Sequence, residues 1–210
     1  MDKELTFELL MEKMENGNCP VCEMVNFRIA EALERFLYEG VNTPHVRYKV
    51  EKSNGFCKRH AHMLLKLGDP LTHAILYHDL MNNVIKNIGE KSNKTDYSNH
   101  KNCIFCAQNA SNEDAYIKAF LEFYENDKFR QRYEQASTLC VVHLTEIKKI
   151  KFANKGIVKK ITEKTLEKYK ELNGHLSEIK RKNDYRHTDE EWTEEEIAAW
   201  QRAVAIFNGD

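Results

Sequence analysis

The sequence predicts an all-α protein built from two pseudo-repeated helical modules and a docked C-terminal helix. Three observations lead there. Only 3 prolines and 8 glycines interrupt 210 residues, which favours long helices. Apolar residues recur three and four apart, and the sustained alternation of strands is absent. A set of four residues also occurs twice in one order. Cys19, Cys22, Cys57 and His60 are followed by Cys103, Cys106, Cys140 and His143. The gaps between the paired ligands hold 34 and 33 residues, and all six cysteines of the chain are used.

The elements follow in order. Residues 4–15 predict a short helix that breaks at Asn16-Gly17-Asn18. A helix over about 23–39 ends at Gly40. Asp69-Pro70 is an N-cap and first-turn pair, opening a helix with Leu71, Ala74, Ile75, His78, Met81, Ile85 and Ile88 on one face. The polar stretch 89–102 reads as a linker. Ser111 or Asn112 is expected to cap the next helix, with Glu113 and Asp114 in its first turn. Residues 155–182 form another long helix. Thr193 and Glu196 make a capping box, and Ile197, Trp200, Val204 and Phe207 then line one side of a final helix. A tail with two tryptophans is expected to dock on its own domain, against the lysine-rich helix.

The repeat extends beyond the cysteines. Leu33, Phe36 and Leu37 follow Cys22 at the distances at which Ile117, Phe120 and Leu121 follow Cys106. Leu64 and Leu67 follow His60 as Ile147 and Ile150 follow His143. Such self-similarity marks a duplicated unit. The expected domains are 1–90 and 91–183, one module each, with an acidic tail over 184–210.

Two Cys3His metal sites account for the cysteines best, with Zn2+ the expected ion, two per chain. Zinc in structural roles takes a closed tetrahedron of thiolate and imidazole. Residues i and i+3 share a helical face, so Cys-x-x-His suits one helical turn. Taken in sequence order, the expected sets are Cys19, Cys22, Cys57, His60 and Cys103, Cys106, Cys140, His143. Four protein ligands leave no open position, which argues for a structural site and against an enzyme. Disulfides, a redox Cys-Pro-Val-Cys and an iron–sulfur cluster compete. The redox reading leaves Cys57, His60 and the second set unused. Each site would carry one net negative charge. Arg47 and Arg130, each ten residues before the third cysteine, are either facing the thiolates or solvated.

Formal net charge is −1, with 31% charged and 41% hydrophobic residues. That suits a globular chain with no overall attraction to nucleic acid. The start lacks the apolar run of a secretion signal, and no stretch approaches a membrane span. A cytoplasmic protein with no membrane partner is expected. Residues 144–183 carry twelve Lys or Arg against five Glu. Interleaving with Glu163, Glu167 and Glu171 favours the solvated face of a long helix over a nucleic-acid surface on 148–170.

Cys-Pro-Val-Cys at 19–22, Gly-Phe-Cys-Lys-Arg-His at 55–60, Cys-Ile-Phe-Cys at 103–106 and Cys-Val-Val-His at 140–143 carry a resemblance. So do Asp184-Tyr185-Arg186, Glu191-Trp192 and Ala199-Trp200-Gln201-Arg202-Ala203. Together they resemble an uncharacterised bacterial family known only as a domain of unknown function. The resemblance implies the duplicated cysteine/histidine pattern and no activity. Members are sometimes labelled substrate-binding proteins of ABC transporters, a label these residues do not support. The leading expectation is a non-enzymatic zinc protein offering helical surfaces to a protein partner. Nucleic-acid binding and thiol-redox or metal sensing are the alternatives.

Overall fold

A computed structural model describes residues 2–15, 17–89, 103–187 and 189–209. These residues are helical, with no strand among them. The helices are α1 (Lys3–Lys13), α2 (Pro20–Arg35), α3 (Pro44–Lys52), α4 (Lys58–Leu67), α5 (Pro70–Gly89), α6 (Ile104–Phe123), α7 (Asp127–Ala136), α8 (Val141–Lys149), α9 (Lys155–Lys182) and α10 (Glu194–Asn208). A π-helical turn, Phe36–Gly40, extends α2, and a 3-10 turn spans Tyr185–His187. The linker expected over 89–102 lies outside the described residues apart from Gly89, as does Asn16.

Several expected boundaries hold. The Asp69 carboxylate accepts from the Thr72 amide at 3.1 Å and so opens α5. The Thr193–Glu196 capping box is present in both directions. One expectation fails. Ser111 and Asn112 do not start a helix, because α6 begins at Ile104 and runs straight through them. The helix is nucleated earlier, at the Cys103–Cys106 turn. The helices α3 and α7 were not expected, and at α4 and α8 only the single turn of each Cys-x-x-His pair was.

The chain forms two compact units, Met1–Asn26 with Asp114–Asp210, and Phe27–Glu113. This division differs from the contiguous modules expected over 1–90 and 91–183, because each unit draws on both repeats. The boundaries fall inside α2 and α6.

The first unit is organised around an aromatic cluster. Phe120 packs edge-on to Phe129 and to Tyr133, at 5.5 and 5.1 Å between centroids, and Leu10, Met14, Met24 and Ile147 are fully buried around it. In the second unit Phe36, Phe56 and Phe105 form a triangle with 5.5–5.7 Å between rings. Ile29, Leu33, Val50 and Leu64 are buried there. The repeated apolar positions are thus mostly core, although Leu67 is exposed.

The tail docks as expected, but by another face. α10 packs on α9 and α8 through Ala199, Ala203 and Ile206 against Leu172, Tyr169 and Leu176. Ile197, Trp200, Val204 and Phe207 point outward. Two alanines on the inner face allow close helix approach, and the bulky stripe is left in solvent. No helix of the described residues is long and apolar enough to cross a membrane.

Candidate metal centres

Every Cys-x-x-Cys and Cys-x-x-His pair sits at the N-terminus of a helix. The carbonyls of Cys19, Cys57, Cys103 and Cys140 each accept the first i+4 hydrogen bond of α2, α4, α6 and α8, from Glu23, Ala61, Ala107 and Leu144 at 2.9–3.1 Å. Each opening cysteine is therefore an N-cap, and its partner three residues later lies on the same first turn. The Cys140 sulfur itself accepts from the His143 amide at 3.4 Å.

The eight residues gather into two clusters, and the pairing crosses the repeats. One cluster is Cys19, Cys22, Cys140 and His143; the other is Cys57, His60, Cys103 and Cys106. In each, the four candidate ligand atoms lie within 4.8 Å of one another. The sets expected from sequence order are thus corrected: each Cys-x-x-Cys joins the Cys-x-x-His of the other repeat. The first cluster joins the starts of α2 and α8 and the second those of α4 and α6, because α2 and α6 each run from one compact unit into the other and so part each Cys-x-x-Cys from the Cys-x-x-His that follows it in sequence.

In the first cluster His143 Nδ1 lies 3.3 Å from Cys19 Sγ, 3.3 Å from Cys22 Sγ and 3.1 Å from Cys140 Sγ. Cys22 and Cys140 sulfurs are 3.7 Å apart, far beyond the S–S bond of about 2.05 Å. All four residues are buried. Ser137 donates to the Asn18 carbonyl at 2.6 Å, joining the segments ahead of both pairs. Tyr169 donates to the Leu139 carbonyl at 2.9 Å, and Lys168 donates to the Tyr133 carbonyl at 3.1 Å and to that of Ser137. Gly209, in the left-handed region at φ 76°, closes α10 over the cluster; a Cβ there would lie 3.6 Å from Cys22 Sγ and 3.7 Å from Cys140 Sγ.

In the second cluster His60 Nδ1 lies 3.2 Å from Cys57 Sγ, 3.6 Å from Cys103 Sγ and 3.4 Å from Cys106 Sγ. Cys57 and Cys106 sulfurs are 3.5 Å apart. Cys57 and Cys106 are only partly buried. Gly55, at φ 94°, makes the turn into Cys57, and Ser53 donates to its carbonyl at 2.8 Å. The Asn109 carboxamide lies with Nδ2 3.3 Å from His60 Nε2, and an amide flip exchanges that nitrogen for the oxygen. With Nδ1 turned to a metal, Nε2 carries the proton and donates, so the oxygen of Asn109 must face it. The sequence reading missed Asn109. The signal was there, since Cys103, Cys106 and Asn109 continue one i, i+3 series.

Crowding sets the proton affinities. Cys140 is driven well below the usual thiol range by hydrogen bonds from Cys19 and Cys22. Burial and the Cys140 hydrogen bond push Cys19 up. Burial disfavours a charge on His143, but Cys140 and Cys22 outweigh it and raise the imidazole to about 10. In the second cluster burial, then Cys57, pushes Cys106 up to about 12. Three thiols and a histidine sharing protons this way suit a cation that displaces them.

Neither Arg47 nor Arg130 faces a sulfur in this structure. Arg47 Nε lies 4.0 Å from Asp79, and Arg130 pairs with Asp127. The positive potential at the thiolates comes instead from helix dipoles, two N-termini per cluster.

The model of a family of unknown function, DUF6062, matches residues 3–102 and 90–210. The chain belongs to this family. It is also 32% identical over 205 residues to an uncharacterised 23.9 kDa protein encoded in the xynA 3′ region of Caldicellulosiruptor sp. (strain Rt8B.4), covering 95% of this chain and 99% of that one. No solved structure matches. The resemblance carried by the motifs is thereby established, and the duplicated pattern takes a physical form: two clusters, each assembled from both repeats.

Proposed function

We propose that this chain is a non-enzymatic zinc protein, with two structural Cys3His sites that hold helix ends together and let the helices present surfaces to a protein partner. The observation that carries this is the closed geometry of both clusters. A tetrahedron with Zn–S of about 2.3 Å and Zn–N of about 2.0 Å has S···S edges of about 3.8 Å and S···N edges of about 3.5 Å. Eight of the twelve edges run from 3.1 to 3.7 Å, and all lie within 4.8 Å. Three thiolates and one imidazole complete a four-ligand shell and suit a structural ion. Its binding free energy would be part of the folding free energy.

The test is metal analysis by mass spectrometry on protein purified without added metal, with thiol counting alongside. Two zinc ions per chain and thiols that react only after denaturation are expected. Iron, or oxidised cysteines with no zinc, would overturn the reading in favour of thiol-redox chemistry.

One observation favours nucleic-acid binding as a second reading. Phe152, in the loop between α8 and α9, is 99% exposed and is flanked by Lys148, Lys151 and Lys155. An exposed ring among ammonium groups suits base stacking beside phosphates. Salt-sensitive binding of single-stranded RNA, lost in Phe152→Ala and in Lys148→Glu with Lys151→Glu, is the expected result. Binding indifferent to these changes would remove this reading.

A further inference from the structure

The helix α5 is apolar on two faces. Its inner side, with Thr72 and Leu76 buried, packs on α3. On the opposite side Leu71, Met81, Ile85 and Ile88 are 71, 54, 67 and 72% exposed, with Ala74 and His78 exposed between them. These six residues are spaced 3, 4, 3, 4 and 3 apart. That is an unbroken heptad seam, the spacing that lets one helix pack along another.

We propose that the outer face of α5 is a self-association seam that pairs antiparallel with α5 of a second copy. The spacing is self-complementary. Laid antiparallel about a two-fold axis between residues 79 and 80, Leu71 meets Ile88 of the second copy, Ala74 meets Ile85, and His78 meets Met81. Every a position then faces a d position, as an isologous interface requires. The positions flanking the seam are Ile75, Tyr77, Asn82 and Val84. None is charged, so two copies do not repel and no charged partner is selected. His78 is the one ionisable residue in the seam, and it sits near the centre, where a single polar residue fixes register at some cost in affinity. Twenty residues give a seam about 30 Å long, which reaches only the small end of specific interfaces. A seam of this size favours a reversible dimer over an obligate one.

This supplies a partner for the interaction reading above and does not depend on the metal assignment. The experiment is sedimentation equilibrium of the full chain from micromolar to submillimolar concentration, with metal content measured on the same samples. Wild type is expected to dimerise reversibly. Ile85→Glu and, independently, Ala74→Lys are each expected to weaken the dimer by roughly tenfold or more; both positions are exposed, so helicity and metal content stay unchanged. The variant carrying both changes is expected to recover the dimer, because the introduced lysine of one copy then faces the introduced glutamate of the other. A wild-type chain that stays monomeric, a dimer that survives Ile85→Glu, or one lost instead through Trp200→Glu would overturn the seam. Failure of the double variant to recover would overturn its antiparallel register. A monomeric protein that still holds two metal ions would end this proposal and leave the zinc reading standing.

Discussion

Lys182, in the last turn of α9, donates to the Glu196 carboxylate of α10 at 2.7 Å, with the two side chains only 9 and 6% exposed. The same carboxylate oxygen accepts the Thr193 amide at 3.0 Å. One carboxylate therefore closes the capping box and ties α10 to α9. Lys182 also lies over the Trp192 ring, 6.0 Å from its centroid.

Loss of that tie should release α10. Lys182→Met leaves Glu196 without its cation, while Thr193→Ala removes the cap at about 1 kcal/mol. Tryptophan emission, which reports only on the tail, should shift to the red in Lys182→Met, and α10 should become open to proteolysis. Unchanged emission and protection would show that the apolar contacts hold α10 unaided.

A pH dependence follows. The Lys182 ammonium, then the Thr193 amide, holds the Glu196 carboxyl below the usual carboxylate range. A carboxylate lowered on folding contributes stability above its unfolded value of about 4.3, and that contribution is lost as pH falls through the folded value. Tail emission should be flat from neutral pH to about pH 5 and shift only in stronger acid. In Lys182→Met the shift should begin at higher pH; identical profiles would count against the pair.

The crossed pairing predicts which thiols are freed together. Cys140→Ser and Cys57→Ser should each lower zinc content by about one ion and destabilise the fold. In Cys57→Ser, mild alkylation followed by peptide mapping should label Cys103 and Cys106 and spare Cys19 and Cys22. Labelling of Cys19 and Cys22 would restore the pairing by sequence order.

Exposure sets the order of metal loss. Cys57 and Cys106 are partly open, whereas Cys19, Cys22 and Cys140 are buried. A thiol reagent should therefore remove the ion from the Cys57 cluster first. Truncation after residue 193, which takes away α10 and Gly209, should bring the Cys140 cluster to a similar rate. A single loss phase in wild type would refute the difference.

Asn109 should act through His60. Replacing a group that orients a metal-binding histidine commonly costs about 10–100-fold in metal affinity. Competition with a chelator should show that loss at one site of Asn109→Ala, with the other unchanged. Two unaltered affinities would make Asn109 a surface amide.

By itself, the sequence determined the candidate ligand residues, the duplication and several of the helices. Those are local properties: i, i+3 spacing puts Cys140 and His143 on one turn, Asp69-Pro70 starts α5, and Thr193 with Glu196 starts α10. It could not pair the candidate ligands, because sequence order does not tell that α2 and α6 each run from one compact unit into the other. Only the tertiary structure joined Cys19 to His143 and Cys103 to His60. It also decided which face of α10 is inner. Periodicity picked out Ile197, Trp200, Val204 and Phe207, whereas Ala199, Ala203 and Ile206 form the inner face. Close packing against α9 admits the smaller side chains and leaves the larger ones in solvent.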